Sequence, residues 1–155
     1  MSMNEGNSFK ATDFIGIGVA STRHGYTILD FVLRCGQQVK CGIVFTDDQQ
    51  KLELSRPFMA DEHWWNVPGL LKQQKACLKS SFCEYSVERL YLKYNIPFIY
   101  VPDFGDPAAR LAAATGAQAA LLLEAPIIRG KILSALPQGI VNFHAAPLPE
   151  YRGNY

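Results

Sequence analysis

The sequence predicts an α/β domain built on an open, mostly parallel sheet with helices on both faces. Three observations carry this. Short apolar runs alternate with segments of helical period along the whole chain. The runs read as nearly continuous apolar stretches, as strands buried on both faces do. Between the first two lies a crossover helix of the kind that parallel pairing needs. The pattern is Rossmann-like, and no repeat, low-complexity segment or linker interrupts it. Residues 1–12 read as a flexible N-terminus and residues 13–155 as one domain.

The first strand is Phe14-Ile15-Gly16-Ile17-Gly18-Val19-Ala20, an apolar run ending in small residues. Ser21 or Thr22 supplies a cap for the helix that follows. Ile28, Leu29, Phe31, Val32 and Leu33 form its apolar stripe, and Gly36 stops it. Val39 to Phe45 is the second strand. From Asp47 to Phe82 the polar Asp48-Gln49-Gln50-Lys51 and the His63-Trp64-Trp65 cluster break any clean period, so an irregular excursion is expected, with a helix near Val67 to Lys79. Lys72, Lys75 and Lys79 on that helix read as a solvated face.

Ser86 to Asn95 is expected to be helical, with Val87, Leu90, Tyr91 and Tyr94 on one side, and Ile96 to Val101 to be the third strand. Asp106-Pro107 is expected to cap and open a helix that ends at Gly116. Gln118 to Leu123 is the fourth strand, Arg129 to Leu136 the next helix, and Gly139 to His144 a fifth strand with polar residues at its carboxyl end.

Composition narrows function. The 155 residues are 48% hydrophobic, enough for one sizeable core. Fifteen Lys and Arg against 14 Asp and Glu create no long-range field for nucleic acid or an anionic membrane, so any partner is recognised locally. The N-terminus lacks the basic start and apolar run of a signal peptide, and no stretch is long enough to span a bilayer, so the cytoplasm is the expected compartment. Cys35, Cys41, Cys77 and Cys83 lack zinc-site spacing and read as free thiols, so no metal is expected.

Ligands of open parallel sheets collect beyond the carboxyl ends of the strands. Three places there carry candidate residues. Gly16-x-Gly18 begins like a dinucleotide fingerprint but has Ser21 where the third glycine belongs; a tight turn accounts for the glycines as well, while Asp47 keeps a ribose-binding reading open. Glu124 to Arg129 offers backbone groups and an apolar wall to a flat heterocycle. Asn142 and His144, two apart on a strand, project to one face. They pair a neutral hydrogen-bond donor for an oxyanion with a group that titrates near neutrality, which is what acyl transfer needs.

Gly139-Ile140-Val141-Asn142-Phe143-His144, followed by Leu148-Pro149 and Tyr151-Arg152-Gly153, resembles the signature of the 10-formyltetrahydrofolate-dependent formyltransferases. Ala125-Pro126-Ile127-Ile128 stands where that family carries its folate loop, and His24-Gly25 and Val44 to Asp47 are also similar to it. The resemblance implies transfer of a formyl group to an amine: a sugar nucleotide amine, an amino-acid-derived amine or methionyl-tRNA. It implies that Asn142 bonds the formyl oxygen, that His144 assists proton movement, and that Ala125, Pro126, Ile127 and Ile128 frame the pterin. The expected partners are a small-molecule amine and a second copy in a homodimer.

The chain departs from the pattern at Ala146, Pro147 and Glu124-Ala125. It stops at Tyr155, before the aspartate the family places after its signature, so a fragment inactive by itself is expected. A non-catalytic folate- or partner-binding relic and a nicotinamide-dependent oxidoreductase are the alternatives.

Overall fold

The computed structural model describes residues 14–19, 22–59, 72, 74–75, 84–103, 105–125 and 128–143. Five strands form one sheet: β1 (Phe14–Val19), β2 (Val39–Phe45), β3 (Phe98–Val101), β4 (Ala119–Leu123) and β5 (Ile140–Asn142). Their order is β3-β2-β1-β4-β5 and every pairing is parallel. All five carboxyl ends therefore open on one side. Chain order reverses between β1 and β4, which is the crevice-forming switch of doubly wound sheets.

Five helices are described: α1 (Arg23–Arg34), α2 (Gln49–Met59), α3 (Val87–Lys93), α4 (Asp106–Thr115) and α5 (Lys131–Ser134). Ile28, Leu29 and Val32 of α1 and Val87, Leu90 and Tyr91 of α3 pack with Val44, Phe98, Tyr100, Leu121 and Leu123 on one face of the sheet. Ala108, Leu111 and Ala112 of α4 and Ile132 of α5 pack with Cys41, Ile43, Phe45, Ile99, Val101 and Ala120 on the other. The period-2 alternation of β2, β3 and β4 divides their side chains between these two layers.

Local signals act as expected at several ends. Gly36 follows α1 and Gly116 caps α4, both with left-handed φ. Two expected caps differ. Thr22 holds the N-cap position of α1, but its hydroxyl makes no capping bond. Gly105, not Asp106, is the N-cap of α4; Asp106 lies in the first turn, and its carboxylate pairs with Lys131 of α5 at 2.9 Å.

The described part of the excursion after β2 contains more regular structure than its polar sequence suggests. The Asp48 carboxylate accepts the Gln50 amide at 2.9 Å and starts α2, a helix that the sequence pattern did not indicate. Ser55 of α2 then accepts the buried Tyr100 amide at 2.8 Å. Gln74 donates to the Phe98 carbonyl. Both bonds land on β3, an end strand of the sheet, and satisfy backbone groups that would otherwise form an open edge. Lys72, Gln74 and Lys75 are helical; Trp64, Trp65, Lys79, Cys77, Cys83 and the expected N-terminal segment lie outside the described residues.

A buried polar group sits beneath α2. Glu88 is fully buried on α3, with Lys51 of α2 at 3.4 Å and the Tyr100 hydroxyl donating to it at 3.4 Å. Burial of Tyr100, followed by the field of Glu88, pushes that phenol well above its ordinary range.

Candidate functional site

The sheet's carboxyl edge brings some of the candidate residues together. Asn142 ends β5 and pairs in register with Leu122 of β4, which pairs with Ile17 of β1. Parallel register puts paired residues on one face of the pleat. Leu122 and Ile140 pack against the core layer under α4 and α5, so Asn142, two residues past Ile140, lies on that face too. Asn142 itself is exposed.

The loop after β4 returns to the same layer. Ala125 and Ile128 are half-buried and pack against the core under α4 and α5. The structure thus places Ala125, Ile128 and Asn142 on one side of the sheet at its carboxyl edge. Pro126, Ile127 and His144 lie outside the described residues. A flat heterocycle suits what is described: an apolar wall from Ala125 and Ile128, with an accessible amide on the neighbouring strand.

Glu124 stands at the head of this loop with φ 56, in the left-handed region. No sequence signal marks this conformation, because glutamate carries no preference for it. On the switch side, Gly25 of α1 is a close-approach position. A Cβ there would meet the Leu123 carbonyl oxygen at 2.9 Å and the Thr22 hydroxyl at 2.6 Å, so only glycine lets the first turn of α1 seat against the end of β4.

The first glycine of the dinucleotide-like run has another use. Gly16 lies inside β1, pairs with Gly42 of β2, and would place a Cβ 2.4 Å from the Tyr91 hydroxyl. Its missing side chain makes room for Tyr91, well before the strand-to-helix turn where a pyrophosphate would sit. Asp47 is exposed beyond β2.

Cys41 does not offer an activated thiolate. Burial pushes the Cys41 thiol up to about 12, with a contact to Thr115 opposing the shift, while Cys35 is exposed on the far end of α1. Among the described residues no group of three or more His, Cys, Asp or Glu could hold a metal ion, and no helix is long and apolar enough to cross a membrane.

The fold and its edge define a doubly wound α/β protein whose candidate ligand residues stand at the carboxyl ends of β4 and β5. No protein-family model and no curated protein matches the chain. Among solved structures it is similar to glycinamide ribonucleotide transformylase 1 from Symbiobacterium toebii, at 20% identity and a TM-score of 0.48, over 98% of this chain and 61% of that one. The chain spans about three fifths of that protein's length.

Proposed function

We propose that this chain carries the formyl-donor half of a 10-formyltetrahydrofolate-dependent formyltransferase acting on an amine. The observation that carries the reading is Asn142 at the end of β5, on the same sheet face as Ala125 and Ile128. Those are the residues that the sequence resemblance assigns to the formyl oxygen and the pterin wall.

The donor supplies an activated formyl carbon. In this reading Ala125, Pro126, Ile127 and Ile128 hold its ring against the edge of the sheet and exclude water from one side. The Asn142 amide donates to the formyl oxygen as negative charge develops there, in a site preorganised by the β-ladder. His144 takes the proton that the acceptor nitrogen loses on forming the new C–N bond and returns it to the departing nitrogen, so protons balance. The amine is the nucleophile, which leaves no role for an enzyme thiol.

The acceptor is a small-molecule amine or methionyl-tRNA, and the compartment is the cytoplasm. Self-association as a homodimer is part of the proposal, supported by the exposed Val141 of β5 and Phe143 just beyond it. A monodisperse monomer in concentrated light scattering overturns that part.

Calorimetric titration of the chain with 5-formyltetrahydrofolate, repeated on Asn142→Ala, tests the donor site. Binding that weakens in the variant is expected; a folded chain that gives no heat overturns the reading. Where formyl transfer is assayed, Asn142→Ala is expected to lower kcat about 10²–10³-fold. His144→Ala is expected to lower it about 10²–10⁴-fold.

A further inference from the structure

The backbone turns left-handed at six described positions. Four of them, Gly36, Gly116, Gly130 and Gly139, are glycines with nothing within 4 Å of an added Cβ, so φ rather than space accounts for each. A fifth is Asn95, a residue type that tolerates this region through local hydrogen bonding. The sixth is Glu124. At the other described positions of this kind the chain uses a tolerant residue, and here an intolerant one.

Among the described residues no side-chain partner offsets the strain. Glu124 is exposed, so burial does not compensate, and among the described residues its side chain makes no hydrogen bond or ion pair. It also stands at one particular place: the carboxyl end of β4, beside the β1/β4 switch and immediately before Ala125. A non-glycine residue held left-handed at a ligand edge points to function at that edge.

Resting on the folate reading above, we infer that the Glu124 carboxylate binds the donor edge of the pterin, its ring N3–H and 2-amino group. Two parallel N–H donors in one plane match the two carboxylate oxygens as a guanidinium does. An acceptor ammonium, by contrast, is a point charge and needs no such planar pair.

The test is calorimetry of the full chain with two probes, 5-formyltetrahydrofolate and its 2-desamino-2-methyl counterpart, on the parent, Glu124→Gln and Glu124→Gly. The parent is expected to bind the amino probe about tenfold or more tighter than the desamino one, the loss of a charge-assisted hydrogen bond. Glu124→Gln brings the two within about twofold, because an amide offers one acceptor where a carboxylate offers two. Glu124→Gly does the same and melts at a higher temperature, since glycine adopts this φ without strain. A Glu124→Gln protein that keeps the parent's preference overturns the inference and leaves the folate site standing. A Glu124→Gly protein that melts lower than the parent overturns its premise. A folded parent that binds neither probe overturns the folate reading, and this inference falls with it.

Discussion

The Tyr91 ring lies against the backbone of β2 so closely that a Cβ on Gly42 would stand 2.4 Å from Tyr91 Cε2. Gly42 pairs with Gly16 on β1, so two adjacent strands give up their side chains to seat one ring. Tyr91 is fully buried and also stacks at a tilt on Phe98, with ring centroids 5.5 Å apart.

Gly42→Ala is therefore expected to destabilise the fold by about 1–3 kcal/mol, the cost of overpacking a filled core. The rigid ring edge and the Phe98 Cβ, 3.0 Å from the same point, leave little room to yield. Urea denaturation read by far-UV dichroism checks this; an unchanged midpoint would show that the ring is free to shift.

At Gly16 the obstacle is the Tyr91 hydroxyl, which is buried without a described partner. Tyr91→Phe alone is expected to change stability little, because it removes an unpaired polar atom. Gly16→Ala should cost about 1–3 kcal/mol in the parent. In the Tyr91→Phe background that cost should shrink, with a coupling of about 1 kcal/mol in a double-mutant cycle.

The bond from the Tyr100 amide to Ser55 closes one edge of the sheet. Ser55→Ala strands a buried N–H and is expected to cost about 1–3 kcal/mol. Opened backbone on β3 should also raise aggregation above that of a surface variant of equal stability. Light scattering at matched fraction unfolded separates the two effects.

Lys51 and Glu88 tie α2 to α3 across a 3.4 Å contact in which the carboxylate is fully buried. Lys51→Met leaves that charge without its cation and is expected to destabilise by about 2–4 kcal/mol, somewhat below a fully buried pair because Lys51 is partly exposed. Adding Glu88→Gln should recover much of the loss. A double variant no more stable than Lys51→Met would mean that Lys51 acts through packing alone.

Cys41 shapes the alkaline limb of stability. Its folded pKa of about 12 exceeds the ordinary 9.0 because burial disfavours the thiolate. The neutral thiol's contribution is fully present below pH 9.0 and is lost as pH rises from there toward about 12, since the unfolded chain releases the proton first. Cys41→Ala should flatten this decline; Tyr91 and Tyr100, also raised by burial, keep a residual slope above pH 10. In native alkylation at pH 8, Cys35 should react and Cys41 should not.

Much of the architecture is legible along the chain. β2 runs from Val39 to Phe45 as its apolar run implies, and α1 stops just short of Gly36. The alternation that pairs Asn142 with His144 can be followed only to Asn142 at the end of β5, because His144 lies outside the described residues, and Ala125 and Ile128 follow from the family resemblance rather than from any local period. α2 was not legible, because its helical face is weakly apolar and is ordered by docking on β3. The helix expected from Arg129 to Leu136 is a single turn, Lys131–Ser134. The left-handed turn at Glu124 had no signal at all, since side-chain identity does not encode it there.

Element type and order were determined by the sequence itself, because apolar period, caps and glycine stops act over a few residues. Strand order, the seat of Tyr91 over Gly16 and Gly42, the burial of Glu88 and the closing of the β3 edge were decided only by tertiary structure. Those features join groups far apart in the chain, as Ser55 and Tyr100 are at a separation of 45 residues. Their partners are chosen by packing and by the need to satisfy every buried polar group, which no local pattern records.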